Sequence, residues 1–144
     1  MSKKYLITSL VYACIAMGGG VFYREFTKYL AFSGVTRLSV FHTHYFLMGM
    51  FFFLLLALLE KVFSFSGKHT GKIVVLYHIG LNITGCGLLA RGLCQVLMPE
   101  LSSGLNGAIS GIAGCGHILL GLSVILLLVT IIKRAGEPTA RSAA

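Results

Sequence analysis

The stretch SVFHTHYFLMGMFFFLLLALL, from Ser39 to Leu59, decides the fold of this chain. It carries two histidines near its start and continues as an apolar run from Phe46 to Leu59. The whole stretch reaches the about 20 residues that a helix needs to cross a bilayer. Ionisable side chains are costly inside a membrane, so His42 and His44 indicate a functional site. On a helix these two residues lie about 200° apart, so they must face two different neighbours.

The composition predicts an integral membrane protein. Of the 144 residues, 56% are hydrophobic and 11% are charged, and the mean hydropathy is +0.88. This balance lies outside that of soluble globular domains. The net charge of +8 comes from short loops and tails, where membrane topology and anionic lipid headgroups account for it. We therefore expect membrane lipid as a partner, and we do not expect nucleic acid.

Four apolar segments predict an all-α, integral membrane four-helix bundle over residues 1–135. The predicted spans are about 5–23, 38–59, 73–98 and 107–132. All four must be helices, because unbroken apolar runs lack the alternation of a barrel and backbone groups in lipid need internal partners. Tyr23-Arg24-Glu25 stands where a signal peptide would have small residues, so we expect the first span to be retained. Pro99 is predicted to close the third helix, and 136–144 to form a disordered tail.

The distribution of lysine and arginine predicts the orientation. Most of these residues lie at the amino end, in the second loop and in the tail. By the positive-inside rule both termini are cytoplasmic, in a multi-pass protein of the bacterial inner membrane. The second helix then descends from the outer face, and at about 1.5 Å per residue His42 and His44 lie within about 10 Å of that surface. His117 falls near the midplane of the membrane.

Histidines within the predicted spans, together with arginines near the outer surface, are a combination of residues that suits the binding of heme. Heme iron takes neutral histidine as an axial ligand, and the propionates need cations. We therefore propose His42, His44 and His117 as metal ligands. Arg24 and Arg91 are the candidate propionate partners, because both lie in the outer half.

A flat apolar slot for the macrocycle is also predicted. Glycines recur at spacings of three or four around the histidine of the fourth span: Gly107, Gly111, Gly114, His117 and Gly121. Gly114 is the glycine that we assign to the cofactor, and Tyr45 is the aromatic residue beside His44 that we expect to touch it. The third span has a related stripe, namely His78, Asn82, Gly85 and Gly92.

Each of these features has a structural alternative. Glycine stripes are typical of close helix packing, and His78 with Asn82 one turn later suits an interhelical hydrogen-bonding pair. Arginines near helix ends serve as snorkelling anchors. His42 and His44 alone also suit an interfacial polar cluster.

Two resemblances add to this reasoning. The run His42-Thr43-His44-Tyr45, followed by Phe46-Leu47-Met48-Gly49, resembles the tenth helix of the main subunit of heme-copper oxidases, where His-x-His-Tyr binds two hemes on opposite sides. The whole chain also resembles a family of small four-span bacterial proteins of uncharacterised function. Residues 22–26 and 105–114 carry that second resemblance.

The oxidase resemblance implies a homotrimer that rebuilds a twelve-helix ring. In that ring His44 of one subunit and His42 of the next clamp one heme. Within a monomer, His44 pairs instead with His117. The third span has no His-His pair, so copper and oxygen reduction are not expected.

We therefore expect a protein that binds heme b and takes part in electron transfer, or that binds heme and diatomic gases, rather than an enzyme acting by itself. The sequence does not indicate its redox partner. Two alternatives remain: a small transporter or channel with a polar path through His78, Asn82 and His117, and a structural assembly protein without a cofactor.

Overall fold

Four long helices joined by short loops form the chain in the computed structural model, which describes residues 1–98 and 100–136. They are α1 (Ser2–Tyr29), α2 (Leu38–Phe63), α3 (Thr70–Leu97) and α4 (Ser103–Ala135). All four are long and apolar enough to cross a membrane. The prediction of an all-α four-helix bundle is confirmed.

The helices extend beyond the apolar runs that predicted them. Only α2 begins where the hydropathy pattern placed it, at Leu38. The other helices continue into polar flanks, because a helical backbone keeps its hydrogen bonds on both sides of the membrane boundary. Pro99 and residues 137–144, most of the predicted tail, lie outside the described residues. The cytoplasmic location of the termini stays a prediction.

Two helical hairpins make up the bundle. α1 packs along α2, and the most extensive pairing of all joins α3 to α4. α2 connects the hairpins, because its first half contacts α3 and its segment Phe52–Phe63 also meets α4. Between α3 and α4 the backbones touch: a Cβ on Gly80 would lie 2.6 Å from the Leu120 nitrogen, and one on Gly116 would lie 2.7 Å from the Thr84 nitrogen. Only glycine fits at such distances.

A π-helical segment interrupts α2 at Tyr45–Phe51, directly after the second histidine. Its wider turns disturb the regular hydrogen bonding of the helix, and in lipid every backbone group needs a partner. Two hydroxyls from other helices supply bonds here: Tyr77 donates to the Met48 carbonyl at 2.6 Å and Ser9 donates to the Met50 carbonyl at 2.8 Å. Sequence patterns did not predict this segment.

Candidate functional site

His44 of α2 and His117 of α4 face each other at the surface of the bundle. Their ring centroids are 6.2 Å apart, and the two ring planes are nearly perpendicular, at 86°. His44 is partly buried, whereas His117 is exposed. These two residues are thus the predicted ligands that the fold brings together.

The protonation of both rings follows from their hydrogen bonds. Nδ1 of His44 lies 3.0 Å from the Val40 carbonyl oxygen, and Nδ1 of His117 lies 2.8 Å from the Ala113 carbonyl oxygen. A carbonyl oxygen only accepts, so each Nδ1 must carry a proton and donate it. In the neutral ring the lone pair is then on Nε2. This is the arrangement of metal-binding histidines, whose second nitrogen is commonly oriented by a backbone carbonyl.

The glycine face of α4 is open beside His117. No described atom outside the local helix lies within 4 Å of the position that a Cβ would take at Gly107, Gly111, Gly114 or Gly121. Within the described chain this face does not pack against another helix. Different glycines serve the packing of α3 against α4, namely Gly80, Gly87 and Gly116.

His42 lies away from the pair formed by His44 and His117. Its ring stacks on Tyr23 of α1, with centroids 6.5 Å apart and planes 16° apart, and it lies over Gly20. Its Nδ1 is buried without a hydrogen-bond partner among the described residues. The described chain contains no group of three or more His, Cys, Asp or Glu arranged to hold a metal ion. The three predicted ligands therefore do not form a single cluster.

The two predicted propionate partners have other neighbours. Arg24 is exposed, and its Nε lies 3.7 Å from the carboxylate of Glu25. Arg91 donates to the Asn106 carbonyl at 2.9 Å and to the Ser110 hydroxyl at 2.7 Å, and it also bonds the Asn106 side chain. Arg91 thus ties the carboxyl-terminal part of α3 to the first turns of α4.

Tyr45 points into the bundle and not towards His44 and His117. It is 4% exposed, its ring lies against Gly85, and its hydroxyl donates to Oδ1 of Asn82 at 3.1 Å. The Asn82 amide in turn bonds Tyr12, which lies 2.6 Å from Nδ1 of His78. The sequence suggested His78 with Asn82 but missed both tyrosines. Their partners lie 37 to 70 residues away along the chain, beyond any local spacing pattern.

Together, the fold and the site define a class: an all-α protein with four helices of membrane-spanning length and a surface-lying pair of histidines. The chain belongs to the family of proteins of unknown function DUF2871, whose sequence profile matches residues 2–134. No curated protein and no solved structure matches the chain significantly. The expectation of an uncharacterised family is confirmed. Nothing in the family assignment links the chain to heme-copper oxidases.

Proposed function

We propose that this protein binds heme b between His44 and His117 and serves in electron transfer. One observation carries the proposal: two imidazoles on different helices lie 6.2 Å apart, and each uses Nδ1 to bond a backbone carbonyl of its own helix, which leaves Nε2 for a ligand. In lipid such polar rings are costly without a partner, and a metal that takes both lone pairs removes that cost.

The separation of the rings suits two axial ligands of one iron. A metal to imidazole-nitrogen bond is about 2 Å long, and the ring centre lies about 1 Å further, so two ligands on opposite sides have ring centres about 6 Å apart. The measured 6.2 Å agrees with this value. The distance between the rings is therefore compatible with a shared iron, which both Nε2 atoms would have to face.

The surroundings also suit a flat apolar cofactor. Gly114 and Gly121 lie one helical turn on either side of His117 and leave space along α4. A cavity of about 180 Å³ adjoins His44, with mostly apolar walls that include Val40 and Leu47. This space is smaller than a heme, so the remainder of the macrocycle would lie against lipid or another subunit.

Ligation by two histidines favours electron transfer over catalysis, because neither axial position is left for a substrate. Copper is not part of the proposal. Binding of diatomic gases becomes the function instead if one of the two histidines does not ligate the iron.

The test is the absorption spectrum of purified protein from heme-replete cells, reduced and oxidised, with and without carbon monoxide. We expect a low-spin spectrum that carbon monoxide does not change. His44→Ala and His117→Ala should each lose most of the heme per protein chain. His69→Ala, at the exposed amino end of α3, is the matched control and should keep a full complement. A wild-type protein without a Soret band, before and after hemin addition, overturns the proposal and favours a cofactor-free transporter or assembly protein.

A homotrimer is the second arrangement of the same function. There His44 binds one side of the iron and His42 of a neighbouring copy binds the other. Among the described residues Nδ1 of His42 has no hydrogen-bond partner, so its ring is not fixed to its own helix as the rings of His44 and His117 are, and this observation favours the trimer. Loss of heme in His42→Ala with retention in His117→Ala would support the trimer, whereas the reverse result supports the pair within one chain.

For the transporter alternative, a continuous polar path from His78 through Asn82 to His117 is required. His78 and Asn82 bond tyrosines of α1 and α2, while the His117 ring bonds its own helix. No hydrogen bond among the described residues joins the two groups, so this alternative has less support than heme binding.

A further inference from the structure

A groove between α1 and α3 has aliphatic walls and a polar floor. Its volume is about 400 Å³, and it is lined by Ile7, Thr8, Val11, Tyr12, Ile15, His78 and Asn82. The three aliphatic residues belong to α1 and are 53%, 52% and 39% exposed. The polar side chains come from both helices. None of the described lining residues is charged.

The hydrogen bonds of the floor determine where its protons lie. The side-chain nitrogen of Asn82 lies 2.8 Å from the backbone carbonyl of His78, and this contact fixes the orientation of the amide. The same nitrogen donates to the Tyr12 hydroxyl at 3.1 Å. The amide oxygen accepts the proton of Tyr45. Tyr12 is therefore an acceptor towards Asn82.

The proton of Tyr12 then has one acceptor within reach. Tyr12 is 5% exposed, and a buried hydroxyl needs a partner for its proton. Nδ1 of His78 lies 2.6 Å away, so the hydroxyl donates to Nδ1 and the His78 proton is on Nε2. No described residue accepts a hydrogen bond from that Nε2. The Nε2 atom of His78 is thus an unused hydrogen-bond donor in the groove. The Nε2 atoms of His44 and His117 differ, because in the neutral ring each carries a lone pair.

We propose that this groove binds the headgroup of a membrane quinone. One quinone carbonyl accepts the hydrogen bond of Nε2 of His78, and the tail lies along Ile7, Val11 and Ile15. These residues are spaced four apart, so they form a strip about 12 Å long parallel to the helix axis. The proposal goes beyond heme binding and does not depend on it.

The uncharged walls favour a lipid with a neutral headgroup. Fatty acids and phospholipids carry charged headgroups, and burying a charge without a partner is costly. A quinone is neutral, has a carbonyl acceptor and carries an apolar tail. The groove volume of about 400 Å³ lies within the usual range of about 300 to 1,000 Å³ for small-molecule sites. An unused donor also favours the oxidised quinone, which only accepts, over the quinol.

The first experiment is a titration of purified full-length protein in detergent with decylubiquinone, followed by quenching of tyrosine fluorescence. The chain has six tyrosines and no tryptophan, so the signal comes from tyrosine alone. We expect saturable binding, tighter for decylubiquinone than for decylubiquinol. His78→Ala should weaken the apparent affinity about tenfold, because one hydrogen bond in an apolar site is lost. His78→Gln keeps an N–H donor and should recover part of that loss, and His69→Ala should bind as the wild type does.

A second variant separates the groove from a general effect on folding. Val11→Trp fills the groove from its exposed rim and should abolish decylubiquinone binding while the heme content per chain stays unchanged; binding is measured here by equilibrium dialysis, because the added tryptophan changes the fluorescence. Equal binding of decylubiquinone to the wild type, His78→Ala and Val11→Trp in this dialysis overturns the proposal. Displacement of decylubiquinone by oleate at equal concentration also overturns it, in favour of a general lipid site.

Two further outcomes distinguish the quinone site from heme binding and from a subunit contact. A colourless protein that still binds decylubiquinone through His78 ends the heme proposal and leaves the quinone site standing. Absent quinone binding, together with a smaller oligomer for Val11→Trp in native mass spectrometry, overturns the quinone site and assigns the groove to subunit contact.

Discussion

Replacing Gly116 by alanine should weaken the bundle, whereas the same change at Gly111 should not. Both glycines belong to α4, so the intrinsic gain in helix propensity, up to about 1 kcal/mol, is common to both variants. A Cβ at Gly116 would lie 2.7 Å from the backbone nitrogen of Thr84 and 2.7 Å from its hydroxyl oxygen. At Gly111 no described atom outside the local helix lies within 4 Å. The difference between the two variants therefore measures the close approach of α3 and α4.

The magnitude follows from the missing space. Ordinary contact needs about 3.5 Å, so the two helices must separate by about 0.8 Å, which forfeits about a quarter to a half of the dispersion energy of the atom pairs that part. Overpacking of this kind costs about 1 to 3 kcal/mol. A loss of that size lowers the melting temperature by about 2 to 12 °C.

The assay is circular dichroism during heating of both variants in one detergent, without added heme. We expect Gly116→Ala to melt below the wild type and Gly111→Ala to melt at or above it. Equal melting temperatures for the two variants would refute the packing of α3 on α4 described above.

Two further substitutions test contacts that hold the bundle together. Tyr77→Phe removes the hydroxyl that donates to the Met48 carbonyl at 2.6 Å. The unpaired carbonyl should lower the free energy of unfolding by about 1 to 3 kcal/mol, measured by denaturant titration. The control Tyr29→Phe, at a residue 89% exposed, should leave this free energy unchanged. Arg91→Gln breaks the bonds to Asn106 and should speed amide hydrogen exchange in the first turns of α4. If heme content also falls in Arg91→Gln, the original assignment of this arginine to a propionate gains support over its structural role.

The spans were predictable because hydropathy is a local property of the chain. Each predicted apolar run lies in one of the four helices, and the predicted start of α2 at Leu38 was correct. The helix ends were not predictable from hydropathy alone, since polar residues such as Lys3 and Lys133 continue the same backbone hydrogen bonding. The π-helical segment had no local signal either. Its carbonyls accept hydrogen bonds from the hydroxyls of Ser9 and Tyr77, which the fold brings to α2 from two other helices.

The glycines also show that local sequence patterns do not predict tertiary contacts. The sequence identified a continuous glycine face on α4, and that face is open beside His117. The sequence did not identify Gly80 and Gly116 as the packing pair, because the rotation of each helix about its axis decides which glycine meets a neighbour. Pattern and spacing define the faces of a helix, and tertiary packing assigns each face to protein or to lipid.

The histidines of the apolar helices show that packing also decides the role of single atoms. His44 and His117 donate from Nδ1 to carbonyls of their own helices, so their Nε2 atoms are left as acceptors that suit a metal. His78 meets a tyrosine hydroxyl instead, and because that hydroxyl already accepts from Asn82, the Nε2 atom of His78 becomes a donor that suits a carbonyl. One residue type thus supports two opposite chemistries within one small bundle. The choice between them is made by the group opposite Nδ1, which lies four residues away in the first case and on another helix in the second.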